Sequence, residues 1–295
     1  MKFDCIVDVR SPLGETPVWS PGDQSLYWID CMEPSVHRFH AGSHGDQRLQ
    51  MPLEGYLGSI ALCEGGGFLV LLSSGLWRYP PDGERRLLAQ PDADRPQNLP
   101  NDGKCDPQGR FWFGTMHATT SEPSGRLYRF DHDGVLTAMD EGFACANGLG
   151  WSPDGRTLYF VDMMPGRVLA YDFDGDGGSI SGRRVFAEIA PEEGLPDGLG
   201  VDAKGGVWVA HWDGWCVSRF LPDGRRERKI SVPVQRPTCP AFGGDDLRDL
   251  YLTSSAADLG DASLKRGPLA GGLFHAKSDV AGQPTVLFRD SGCLA

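Results

Sequence analysis

The chain has 295 residues, 40% of them hydrophobic and 23% charged, which excludes a disordered polymer and supplies a core without disulfide staples. For 32.1 kDa, size scaling gives about 12,000 Å² of exposed surface when folded, against roughly 47,000 Å² unfolded. The formal net charge of −12 argues against nucleic acid and anionic membrane surfaces as partners, since both attract net positive patches. The start, Met1-Lys2-Phe3-Asp4-Cys5, has no apolar signal-peptide core, and the most apolar stretch, Phe68 to Leu72, is too short to span a bilayer. Eight cysteines (5, 31, 63, 105, 145, 216, 239 and 293) are scattered without any C-x-x-C spacing. They read as buried or incidental thiols of a reducing compartment, so a cytoplasmic protein is expected.

Along the chain one short apolar run recurs six times: Leu26-Tyr27-Trp28-Ile29, Phe68-Leu69-Val70-Leu71, Phe111-Trp112-Phe113, Leu158-Tyr159-Phe160-Val161, Val207-Trp208-Val209 and Leu250-Tyr251-Leu252. Successive starts lie 42, 43, 47, 49 and 43 residues apart. Turns such as Asp106-Pro107-Gln108-Gly109 and Ser152-Pro153-Asp154-Gly155 precede most copies. A second run follows each one and in four copies ends in Arg-aromatic, as in Arg78-Tyr79 and Arg219-Phe220. Asp-Gly turns and a third run come next, and a fourth run precedes each apolar one, as in Gly198-Leu199-Gly200-Val201. Four strands per unit at a period of about 45 residues describe a propeller blade. The fold expected is all-β, a six-bladed β-propeller with four antiparallel strands per blade, forming one domain over residues 1–295. The Met1–Asp8 strand and the Thr285–Phe288 run are expected to pair and close the ring.

In a propeller, equivalent positions on successive blades converge on the axis. Ten to twelve residues before each apolar run stand Glu15, Gly58, Asn101, Asn147, Asp197 and Thr238. Any one of these alone would pass for a turn residue. Four carboxylate or amide side chains (Glu15, Asn101, Asn147 and Asp197) in one register, on separate blades, instead point to a hard-cation site. Two carboxylates would neutralise a divalent ion and the amides would complete its shell. With no His or Cys in the set, Ca²⁺, Mg²⁺ or Mn²⁺ fits best, and Zn²⁺ is an alternative; of these, Ca²⁺ is the ion expected.

Gly14-Glu15-Thr16-Pro17-Val18-Trp19, Asn101-Asp102-Gly103-Lys104, Phe113-Gly114-Thr115-Met116, Asn147-Gly148-Leu149-Gly150-Trp151-Ser152 and Pro196-Asp197-Gly198 resemble the SMP-30/gluconolactonase/regucalcin family, in order and over essentially the whole chain. The resemblance implies hydrolysis of sugar-acid lactones with one divalent metal in the channel. By motif the metal ligands fall on Glu15, Asn147 and Asp197, and Asn101 and Asp102 fall where substrate is met. The family's arginine two residues before the Asn-Asp-Gly asparagine is Leu99 here, which puts the usual substrate preference in question; Arg95 is a weak substitute. The polar segment His117 to Gly125 reads as a lid over the channel mouth, and His117 and Arg126 are further candidates for contacting sugar hydroxyls.

For a lactone, a cyclic ester, the metal would act as Lewis acid on the carbonyl while Asp197, or a metal-bound hydroxide, activates water. The alternatives are a non-catalytic calcium-binding regulatory propeller and a metal-dependent esterase or phosphoesterase. Asp172-Phe173-Asp174-Gly175-Asp176-Gly177 imitates the opening of an EF-hand loop, but its twelfth position is Arg183. No G-x-S-x-G elbow, H-E-x-x-H or P-loop occurs. The sequence leaves the oligomeric state open, a monomer included.

Overall fold

The computed structural model describes residues 1–43 and 45–290; Cys293 lies outside the described residues. Six antiparallel four-stranded sheets form a ring, and each sheet is a blade. Blade one runs through Gly14–Ser20, Ser25–Asp30, Ser35–His40 and Gly45–Arg48. The inner strands of the next five blades are Leu57–Leu62, Asn98–Cys105, Ala146–Trp151, Leu195–Val201 and Pro237–Gly243. The recurrent apolar run is the second strand of each blade, buried against neighbouring sheets on both faces, which is why it reads as a continuous apolar block. Exposed surface is 11879 Å², matching the size expectation.

The ring closes differently from the expectation. Asp4–Val7 is the outermost strand of blade six and pairs with Leu273–Lys277, so one blade is assembled from both ends of the chain. The Thr285–Phe288 run does not pair with it. Phe288 instead forms an isolated bridge to Cys63 and stacks on Phe130 at 5.9 Å, pinning the tail against blades two and three. The outer edge of blade six needed a strand, and the N-terminal segment carries the backbone length to supply it.

Two buried aspartates, in blades three and five, tie the turn before the second strand into the blade. Asp202 accepts from Trp208 Nε1 at 2.8 Å and from Arg219 Nε at 2.7 Å. Asp106 does the same for Trp112 and Arg110, at 2.9 and 2.6 Å. The arginine of blade five's Arg219-Phe220 pair is thus held within the blade. The imitation EF-hand loop is a tight turn in which Asp174 accepts from the backbone N–H groups of Asp176 and Gly177.

Candidate active site

In all six blades the pairing of the first two strands slips by one residue at the same place: Glu15/Val18, Leu57/Ser59, Pro100/Gly103, Ala146/Leu149, Pro196/Leu199 and Pro237/Pro240. Each slip is a β-bulge, which re-aims a side chain that regular alternation would send toward a neighbouring blade. Glu15, Asn101, Asn147 and Asp197 stand at these bulges. The backbone is strained there: Thr16, β-branched, has φ of 46°. Small residues let the inner strands close up. A Cβ on Gly148 would lie 2.4 Å from the Leu199 nitrogen, and one on Gly58 would lie 2.9 Å from the Asn101 nitrogen. Blade two therefore gives the axis room, not a ligand.

The structure brings Glu15, Asp102, Asn147 and Asp197 together, each no more than 6% exposed. Asn147 Nδ2 donates to Asp197 Oδ1 at 2.6 Å, which holds one carboxylate oxygen. Glu15 Oε2 accepts from Thr16 N–H at 2.9 Å, and Asp102 Oδ1 accepts from Gly103 N–H at 2.8 Å. Burial, then repulsion from Asp197 and Asp102, pushes the Glu15 carboxyl well above the usual range. Burial and then Asp102 do the same to Asp197, and burial raises Asp102. Lys104, from the same Asn-Asp-Gly-Lys motif, offsets part of this charge and donates to Leu199 O at 2.9 Å across the channel. The motif contained Lys104, but nothing in the sequence showed that it would span to blade five.

Two buried oxygens of the cluster, Asn147 Oδ1 and Asp102 Oδ2, have no hydrogen-bond partner. Buried acceptors without donors, among carboxylates that repel one another, fit a bound cation. Among the described residues no three His, Cys, Asp or Glu side chains form a metal-holding group by themselves. A set of two carboxylates and one amide is consistent with that, because the third donor is an asparagine.

The other residues singled out from sequence fall elsewhere. Asn101 borders the cluster, its Nδ2 donating to Ala146 O at 2.8 Å. His117 ends the second strand of blade three and its ring is bonded to Thr119 and Ser121. Arg126 lies on the third strand, two strands out from the axis, and donates to Asp94 at 2.7 and 2.8 Å. Arg95 is paired with Glu141 at 2.8 Å. The 118–124 segment is tied to the rim through Ser124 O, which accepts from Asn98 Nδ2 at 2.9 Å. His211 is the penultimate residue of the second strand of blade five. It is fully buried, its Nδ1 bonded to Glu193 O at 2.9 Å and its Nε2 unpartnered.

Below the cluster, toward the far end of the channel, lies a cavity of about 150 Å³ bounded by Asp102, Lys104, Trp19 and Trp151. The tail closes it, Gln283 Nε2 donating to Trp151 O at 2.8 Å. Sequence reasoning missed Tyr56, which lies within electrostatic reach of Cys31 and Glu15.

A family model described as SMP-30/Gluconolactonase/LRE-like region matches residues 13–256. The chain belongs to that family. It is 35% identical over 291 residues to pentonolactonase XacC of Haloferax volcanii, covering 96% of this chain and 97% of the relative. It is 38% identical over 287 residues to a 6-deoxy-6-sulfogluconolactonase of Pseudomonas putida, covering 96% and 97%. Among solved structures, a calcium-binding protein, regucalcin, from Agrobacterium tumefaciens superposes with a TM-score of 0.91 at 29% identity, covering 97% of this chain and 96% of that one. These matches extend over nearly the full length, so the bulged inner strands lie within the shared region.

Proposed function

We propose that this protein is a divalent-metal-dependent lactonase, a carboxylic ester hydrolase that opens sugar-acid lactones to the corresponding acids. The observation that carries the reading is the convergence of Glu15, Asn147 and Asp197 from three blades, with Asn147 Oδ1 left without a donor. The named activities of the pentonolactonase and sulfogluconolactonase relatives support it. Glu15, Asn147 and Asp197 would hold the ion, Ca²⁺ first among Ca²⁺, Zn²⁺, Mn²⁺ and Mg²⁺, and when bound it would supply Lewis-acid polarisation of the lactone carbonyl. The calcium-binding relative supports a hard divalent ion.

Asp197 is the general base. Asn147 holds its Oδ1, which fixes the orientation of the carboxylate that would take a proton from the attacking water. The water oxygen bonds to the lactone carbonyl carbon as Asp197 takes its proton. The ring C–O bond then breaks and the same proton passes to the departing alkoxide, leaving a hydroxy acid. Asn101 and Asp102, at the next bulge, orient the ring. His117 and Arg126 stand at the rim, where they shape the approach. Seven described cysteines are free, which fits a reducing, cytoplasmic setting, and no described helix is long and apolar enough to cross a membrane.

The test is pH-stat hydrolysis of an aldonolactone panel by wild type and Asp197→Asn, with and without chelator. The expected result is turnover lost on chelation and reduced about 100-fold or more in the variant. Absence of turnover on every lactone with Ca²⁺ bound would favour the non-catalytic calcium-binding alternative.

A further inference from the structure

One wall of the site has a different chemistry from the carboxylates. Cys145 Sγ lies 3.6 Å from Met116 Sδ and 3.6 Å from Met163 Sδ, so three sulfurs from blades three and four meet there. They touch the cluster directly: Asn147 Nδ2 is 3.4 Å from Met163 Sδ and Asn101 Nδ2 is 3.6 Å from Cys145 Sγ. Met116 pairs with Leu99 across the first two strands of blade three, and both are partly exposed at the mouth. From blade five, Leu195 and Trp212 join the same apolar surface.

The polar side chains around this wall are already matched. Arg126 is held by Asp92 and Asp94, Arg95 by Glu141, and Arg236 by Asp213 while stacking over Trp212 at 4.5 Å. Asn98 donates to Asp92 and Ser124. A ring substituent seated against thioethers and a leucine therefore meets none of these arginines free to replace its water. A hydroxyl there loses hydrogen bonds, and a phosphate or sulfonate loses far more unless it breaks a rim ion pair. A hydrogen or methyl gains apolar burial against polarisable sulfur.

We propose that the site selects lactones whose substituent facing Met116, Cys145 and Met163 is apolar, deoxygenated or alkyl, over fully hydroxylated and anionic ones. This rests on the lactonase reading above. The experiment compares kcat/KM for two matched pairs: L-mannono-1,4-lactone against its 6-deoxy counterpart L-rhamnono-1,4-lactone, and D-glucono-1,5-lactone against its 6-phosphate. The deoxy member is expected to win by about tenfold and the phosphate to lose by at least as much. Leu99→Arg, at a partly exposed position, should narrow both gaps by adding a cation and donors, while Met116→Leu, which keeps the wall apolar, should preserve them. A hydroxylated or phosphorylated lactone turned over as well as its apolar partner overturns the inference and leaves the lactonase reading standing. No turnover on any lactone overturns both.

Discussion

Replacing Asp102 by asparagine removes one charge from three buried carboxylates while keeping their shape. The retained oxygen still accepts from Gly103 N–H at 2.8 Å, and the new amide nitrogen takes the position of Oδ2, which has no partner. Two unit charges roughly 6 Å apart repel by about 3 kcal/mol at an effective dielectric near 20. Lys104 already offsets part of that repulsion on Glu15 and Asp102. The cation-free variant should therefore be more stable by about 1–3 kcal/mol, a rise in Tm of roughly 2–8 °C. With the cation the sign reverses. Asp102 contributes attraction without ligating, so Ca²⁺ affinity should fall about tenfold, or about 1.4 kcal/mol. Scanning calorimetry in chelator and in excess Ca²⁺, with a calorimetric Ca²⁺ titration, reads both effects. A lower Tm in chelator, or an unchanged Ca²⁺ affinity, would show that Lys104 fully balances Asp102 and that the cluster is not poised for a cation.

Three other outcomes follow from the same geometry. His211 is held neutral down to about pH 4 by burial, against an ordinary value of 6.5, so its contribution to stability is complete above pH 6.5. Between pH 6.5 and 4 the unfolded chain binds the extra proton, and stability should fall by up to about 3 kcal/mol. Denaturation midpoints across that window should flatten in His211→Gln, and an unaltered profile counts against this account. In Gly58→Ala the new Cβ would lie 2.8 Å from the Pro100 carbonyl carbon, so blade three's inner strand must shift. The expected cost is about 1–3 kcal/mol by urea denaturation, with a drop in kcat/KM because Asn101 moves; wild-type values for both would refute the close-approach argument. Asp202→Ala strands the buried Arg219 guanidinium and the Trp208 indole N–H, and should cost about 3–5 kcal/mol by the same assay. A loss under 1 kcal/mol would mean that Glu227, bonded to Arg219 at 2.5 Å, suffices alone.

Much of this protein was legible before any coordinates. The recurring Leu26, Phe68, Phe111, Leu158, Val207 and Leu250 runs mark one strand each, because a buried second strand must be apolar on both faces. Counting back from them reached the six bulge positions. What the repeat does not record is which strand of a blade carries a polar residue outside that register. Arg126 and His117 are near Asn101 in sequence, yet the sheet sets Arg126 two strands away from the axis. The N-terminal strand closes blade six as expected, but its partner is Leu273–Lys277 and not Thr285–Phe288, because Cys5 meets Phe274 only after the ring forms and no local pattern records that pairing.

The sequence by itself determined the number of blades and the side chains presented near the axis, since both follow from a repeat of apolar runs and turns. Only the tertiary structure decided what those side chains do to one another. The bulges turn Glu15, Asn147 and Asp197 inward, and ring closure places carboxylates from distant segments within mutual repulsion. The sulfur wall likewise needs blades three and four side by side, because Met116, Cys145 and Met163 are separated along the chain and meet only through packing.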